Sequence, residues 1–295
     1  MNTGKLGSKV LRWLGFAAAG LLFAASAQAA VSGITTTKHN LSTTGTGSGT
    51  RVNSNSGTDQ ICVFCHTPHG SNTTAAVPLW NKTIPTTAVF TSYATLQTSS
   101  LNGEMLAVGS VSQACLSCHD GTQAMDNMMN APGAGTAQTG TWNWTGANQT
   151  GGLLKAGIIT NIGEDLRNDH PIGIQYCGGG LTGSGTTVSG TCADGDFINA
   201  GTVPISTTSD GRTATFKTAT INNNKVFWID LDGNSTRGKA DINLYTRSFT
   251  GGANTPSVEC GSCHDPHVAS KDQDNIMFMR VTTAGSKICL SCHVK

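Results

Sequence analysis

Charge is scarce in this chain. Of 295 residues, 18 are Lys or Arg and 17 are Asp or Glu, so 12% are charged against about 25% in ordinary domains. The near-zero balance excludes the basic footprint that binding a nucleic-acid backbone requires. Apolar side chains are also few: hydrophobic residues make up 37% and Phe, Trp and Tyr 6%, where ordinary domains carry about 45–50% apolar residues with Gly included. Gly, Thr, Ser and Asn fill the gap, leaving little with which to build a core unless another group supplies buried apolar area. No Ser/His/Asp set and no phosphate-binding loop is recognisable, so neither route to catalysis is offered.

The one long apolar stretch, Val10 to Ala25, has Lys5, Lys9 and Arg12 at its start and is followed by Ala27-Gln28-Ala29. It reads as a secretory signal peptide over residues 1–29, being shorter than the ~20 residues of a spanning helix. The first cysteine is Cys62, so an anchor on a new N-terminal cysteine is excluded. Removing Lys5, Lys9 and Arg12 from the 18 basic residues leaves 15 against 17 acidic. The expected product is a secreted chain without a membrane anchor, extracellular or at the outer cell surface, with the periplasm as the alternative.

What the sequence has instead is ten cysteines and eight histidines. Eight of the cysteines fall in four Cys-x-x-Cys-His runs: Cys62, Cys65 and His66; Cys115, Cys118 and His119; Cys260, Cys263 and His264; Cys289, Cys292 and His293. This is the c-type haem attachment pattern. Two thiols about one helical turn apart can each bond a porphyrin vinyl group, and the adjacent imidazole then meets the iron. Disulfides, which export would permit, leave the fixed histidines to coincidence. Zinc half-sites use the same cysteine spacing but leave the third-position histidine unexplained. Cys177 and Cys192 stand apart in a Gly-rich stretch; a disulfide closing that loop is the expected use, and reactive redox thiols are the alternative.

The remaining histidines are His39, His69, His170 and His267, one for each iron. The count suggests four six-coordinate, bis-His haems c. His69 and His267 each lie three positions after a motif histidine, across Thr67-Pro68 and Asp265-Pro266. They are too close in sequence to reach round their own porphyrin and are expected to ligate a neighbouring haem. Met125, Met128 and Met129 are the competing ligands, and Met/His ligation would raise the potential; they are read as packing against a porphyrin face.

The expected fold is that of a multihaem cytochrome c, mostly irregular loops with short helices at the haem motifs, some short β-strands in a central insertion, and the haems as core. One tetrahaem domain over 30–295 divides into an N-terminal arm with haems 1–2 (30–129), a Gly/Thr/Asn-rich insertion (130–255) and haems 3–4 (256–295). Strands are expected around Thr141–Thr145, Thr213–Thr218 and Val226–Leu231, and a helix around Val111–Met125.

The runs Lys38 to Ser42, Ile61 to His69, Asp169 to Ile172, Cys260 to His267 and Cys289 to His293 resemble multihaem cytochromes of metal-reducing bacteria. In size and haem number the chain is similar to the OmcE-like tetrahaem cytochromes that polymerise into extracellular nanowires. The resemblance implies a bis-His haem chain with porphyrins nearly in contact, in a homopolymer where one axial histidine comes from the adjacent subunit. His39 on the N-terminal arm is the candidate for that ligand in trans. It implies electron transfer, not enzymatic turnover, with redox proteins and extracellular acceptors as partners. A periplasmic tetrahaem shuttle and a multihaem reductase are the alternatives, the latter needing an iron with an open position. The mature protein should begin at Ala30 and carry four covalent porphyrins. Intact-mass spectrometry reads both, and fewer than four added haem masses would reject at least one motif.

Overall fold

The architecture is described from a computed structural model covering residues 33–45, 54–55, 57–84, 90–132, 142–204, 213–268 and 278–294. The expected signal peptide lies outside these residues. From Ile34 onward the chain forms one unit.

Eight strands carry the larger ladders: β1 (Ile174–Gln175), β2 (Leu181–Ser184), β3 (Thr187–Gly190), β4 (Thr202–Pro204), β5 (Thr213–Ile221), β6 (Asn224–Asp230), β7 (Ile242–Phe249) and β8 (Gly252–Val258). Six of them form an antiparallel sheet in the order β1-β8-β7-β6-β5-β4, and β2 and β3 make a separate hairpin. Three short α-helices complete the frame, α1 (Ser110–His119), α2 (Cys260–Cys263) and α3 (Lys287–Leu290). Two-residue ladders join Ser54–Asn55 to Trp144–Thr145 and Gln149–Thr150 to Leu153–Leu154.

Why the sheet forms is visible in β5, where Ala214, Phe216 and Thr218 are buried and the residues between them are half-buried. This is the period-2 pattern of a pleated strand. Asn222 and Asn223 turn the chain into β6 with φ of +49° and +64°, the backbone of a two-residue hairpin turn that Asn tolerates best after Gly. Between β6 and β7 two buried carboxylates fasten the connection. Asp230 accepts from the Gly233 and Ser235 N–H groups, and Asp241 from those of Leu231 and Gly238.

The sheet buries one apolar cluster that includes Tyr176, Leu181, Ile198, Phe216, Phe227, Ile229, Ile242 and Leu244. At about 1.5–3 kcal/mol for each large apolar side chain removed from water, this is a protein-built core. Tyr176 satisfies its hydroxyl by donating to the Ile198 carbonyl at 2.9 Å. A disulfide joins Cys177 to Cys192 at the cluster's edge, Cα–Cα 5.4 Å; closing a loop of about 15 residues contributes about 3 kcal/mol in the chain-entropy model.

The expected fold class is therefore corrected. The chain is not a mostly irregular one wrapped on haems: strands in sheets dominate its regular structure, and amino-acid side chains make the sheet's core. The physical reason is distribution. A 37% hydrophobic content is an average, and the apolar residues of the central segment concentrate on one sheet instead of being spread thinly. The segment expected as an outward-facing insertion holds most of that sheet.

Glu259, between β8 and α2, fastens this sheet to the helices. It is 1% exposed. Its carboxylate accepts from Ser112 Oγ of α1 at 2.6 Å, from Arg247 Nη1 of β7 at 3.0 Å and from Ser257 Oγ at 3.2 Å. It also caps α2, whose Ser262 Oγ accepts the Glu259 N–H. Ser112 Oγ in turn accepts from the Cys260 N–H at 2.9 Å. Burial pushes the Glu259 carboxyl upward, and Ser112 and Arg247 pull against that. Removing one partner of a buried charged pair costs about 3–5 kcal/mol, so Glu259→Ala should lower the unfolding free energy of the holoprotein by about that much. Denaturant titration measures it, and a loss under about 1 kcal/mol would mean the network is not structural.

Candidate haem-binding site

Each of the four Cys-x-x-Cys-His runs adopts the same tight turn. In the first, third and fourth, the histidine N–H donates to the carbonyl of the first cysteine, at 2.8, 3.0 and 2.9 Å. The second lies wholly within α1. A turn of this pitch puts both thiols on one side and carries the imidazole just past them. The eight motif thiols are free, while Cys177 and Cys192 are bonded to one another. Nor do the motif side chains converge on a zinc-like site: among the described residues the only such group of ligand atoms belongs to Asp230, Asp232 and Asp241.

The motifs lie beside one another in chain order. The Cys65 thiol feels Cys118 of the second motif. The Cys115 thiol interacts with Cys260 of the third, which raises the Cys115 pKa and lowers that of Cys260. Burial pushes Cys263 up to about 11, with Cys289 of the fourth motif adding to it. The 140-residue gap between the second and third motifs is thus closed in space by the α1–α2 contact that Glu259 holds.

Two pairs of histidines stand out. His39 faces His119 with ring centroids 6.1 Å apart and ring planes at 64°. His66 faces His267, also at 6.1 Å, with planes at 13°. A metal–imidazole bond is about 2.0 Å, and a nitrogen lies about 1.1 Å from the centre of a five-membered ring with bonds of about 1.33 Å. Two imidazoles gripping one metal from opposite sides therefore hold their centroids about 6.3 Å apart. Both pairs have that spacing.

The other nitrogen of each ring is already engaged. Nδ1 of His66 meets the Pro78 carbonyl at 2.8 Å, that of His119 the Thr160 carbonyl at 2.7 Å and that of His39 the Pro266 carbonyl at 3.3 Å. His267 Nδ1 meets Asp265 Oδ1 at 3.2 Å. Such partners put the hydrogen on Nδ1 and leave the Nε2 lone pair for a metal, the second-shell arrangement of metal-bound histidine. Burial lowers His39 to about 4, His119 adding to the effect, and burial also lowers His119 and His264. These rings are neutral near pH 7, as ligands must be. Burial alone would raise Asp265, but His267 and Arg280 hold it at about 2, so it remains a carboxylate partner for His267. Thiol spacing, neutral imidazoles and paired ring distances together fit covalently attached haem.

His69 and His170 are placed differently. Both are exposed, and neither has a ring partner among the described residues. The His69 carbonyl accepts from Asn130 Nδ2 at 2.9 Å, and His170 Nδ1 meets the Pro171 carbonyl at 3.0 Å. Met125 and Met128 are buried with Leu41, Val63 and Phe64 around the first motif. Phe64 also meets Trp142 and Trp144 edge-on, at 5.9 and 6.1 Å.

Several residues that shape the site carry no sequence signal. Phe278 stacks on His39 at 4.2 Å, and Trp80 meets His66 edge-on at 6.3 Å. Buried Asn81 donates its side-chain NH2 to the Val63 carbonyl at 2.7 Å and its backbone N–H to the Cys65 carbonyl at 2.9 Å. Of these, Asn81 and Glu259 could have been suspected only as polar residues within otherwise apolar surroundings, which the sequence does not reveal.

No curated protein matches the chain. A family model described as a doubled CXXCH motif matches residues 254–295, a stretch that holds the third and fourth motifs and His267. The chain is thus c-type cytochrome-like, and its CXXCH motifs indicate covalent binding of haem c.

Proposed function

We propose that this protein transfers electrons through four haems c, each gripped by two imidazoles. When bound, the haem iron supplies a one-electron couple. The chain's own residues do the rest. Each cysteine pair fixes a porphyrin covalently, and each motif histidine offers Nε2 to the iron. His267 completes the site of His66, and His39 that of His119. The observation that carries this reading is the repeated 6.1 Å spacing of the two imidazole pairs with their Nδ1 atoms tied back to the protein. An imidazole on both sides leaves an iron no open position for substrate, which favours electron transfer over a reductase. For His264 and His293 the remaining candidates are His69 and His170.

The serial order of the motifs supports a linear electron path running from the first to the fourth. The fuller reading is an exported subunit of an extracellular cytochrome filament handing electrons to outside acceptors. It rests on the resemblance of the haem-bearing segments to filament-forming tetrahaem cytochromes. Within that reading, the approach of His39 to His119 of the same chain supports ligation in cis, with ligation in trans, from an adjacent subunit, as the alternative.

Electron paramagnetic resonance on monomeric holoprotein tests the pairing. His39→Ala should convert one haem from low-spin to high-spin ferric and leave the others unchanged. If the wild-type monomer already has that high-spin signal and the substitution does not increase it, His39 is not a ligand within its own chain. Electron microscopy of secreted material tests the filament reading, for which ordered filaments with a regular repeat are expected.

A further inference from the structure

Two cations are buried among the described residues, Lys82 and Arg280. Arg280 lies 3.7 Å from the Asp265 carboxylate, so its charge is compensated. Lys82 is 1% exposed, and no carboxylate pairs with it among the described residues. Its ammonium donates to three backbone carbonyls, those of Ala124 at 3.2 Å, Met125 at 2.9 Å and Asn127 at 3.2 Å. Asp126, also buried within the same turn, makes no ion pair with Lys82 and accepts from Trp144 Nε1 at 2.9 Å.

A buried ammonium without a counter-ion is costly. Neutral donors can serve carbonyl acceptors, so the hydrogen bonds alone do not call for lysine. What lysine adds is a full positive charge. That charge lies against the first haem motif. Asn81, the preceding residue, bonds to Cys65 and Val63, and Met125, whose carbonyl is one of the three that accept from Lys82, packs with Val63 and Phe64.

We propose that Lys82 is a fixed positive charge that raises the reduction potential of the haem held by Cys62, Cys65 and His66. The proposal rests on the haem reading given above. Reduction adds one electron, and a cation held in an apolar pocket beside that site lowers the energy of the reduced form. For charges about 10 Å apart at an effective dielectric of about 20, Coulomb's law gives roughly a ten-fold change in the reduction equilibrium. Lys82 is a positioning residue for charge: it touches neither acceptor nor donor of the electron and needs no change in its own protonation. The first haem would then differ from the others in potential without differing in ligands.

Potentiometric titration of the holoprotein with optical detection tests this. Lys82→Gln and Lys82→Met should each move a single one-electron wave downward by about ten-fold in its equilibrium constant, about 59 mV. Lys82→Arg should leave it in place. The same wave should move upward in His267→Met, where a thioether replaces an imidazole. Neutral variants with the full haem complement and unmoved waves would overturn the proposal, as would an equal shift of all waves. Wild-type protein that lacks covalent haem would instead overturn the haem reading. Should both neutral variants fail to assemble, the wild-type protein still decides. The slowly exchanging ammonium resonance of Lys82 must change between oxidised and reduced protein, and an identical resonance in both states would refute the assignment.

Discussion

The architecture depends on one buried carboxylate. Glu259 follows a strand, caps the helix after it, and accepts hydrogen bonds from a serine on another helix and an arginine on the neighbouring strand. A carboxylate carried out of water is tolerated only when its lone pairs are met, and here side-chain and backbone donors from four segments meet them. The sheet thereby sets the position of the third haem motif, and through Ser112 that of the second. The Cys115–Cys260 contact follows from this junction. Side chains of a protein-built core thus fix the relative places of the cofactor-binding turns, which reverses the expectation that cofactors would be needed to organise the chain.

Much of the site was legible because its signals are local. A cysteine, two spacers, a second cysteine and a histidine form one turn in each of the four runs, and β5 announces itself by alternation over 213–218 and β6 by a β-rich apolar run over 226–231. The sheet as a whole was not legible. Its strands are separated by loops rich in Gly, Thr and Asn, so whole-chain composition concealed a locally ordinary core. The expected helix over 111–125 stops at Asp120, just after the histidine of its motif. The strand expected over 141–145 has only Trp144 and Thr145 in a ladder, with residue 141 outside the described residues.

Pairing among the histidines was invisible for a different reason. The sequence supplies four spare imidazoles but no local rule for matching them, because the match depends on where distant segments meet. His267 follows His264 closely, yet it faces His66 of the first motif. The carbonyls that hold Nδ1 of His66, His119 and His39 belong to irregular backbone at Pro78, Thr160 and Pro266. Stretches that look like mere connections in the sequence therefore set the tautomer and orientation of the rings. Their irregularity is useful here, since carbonyls not engaged in a ladder are free to accept from a side chain.

The bond between His39 and the Pro266 carbonyl joins positions 227 residues apart. Chain ends brought together over such a span raise the contact order, and folding rates fall steeply as contact order rises. The entropy of closing that loop must be lost before the ring contacts it brings about can offset it. Assembly of the paired histidine sites therefore requires the C-terminal third, which supplies both His267 and the Pro266 carbonyl. A chain truncated before residue 260 would retain two attachment turns but lose the segment that supplies His267 and the carbonyl that orients His39.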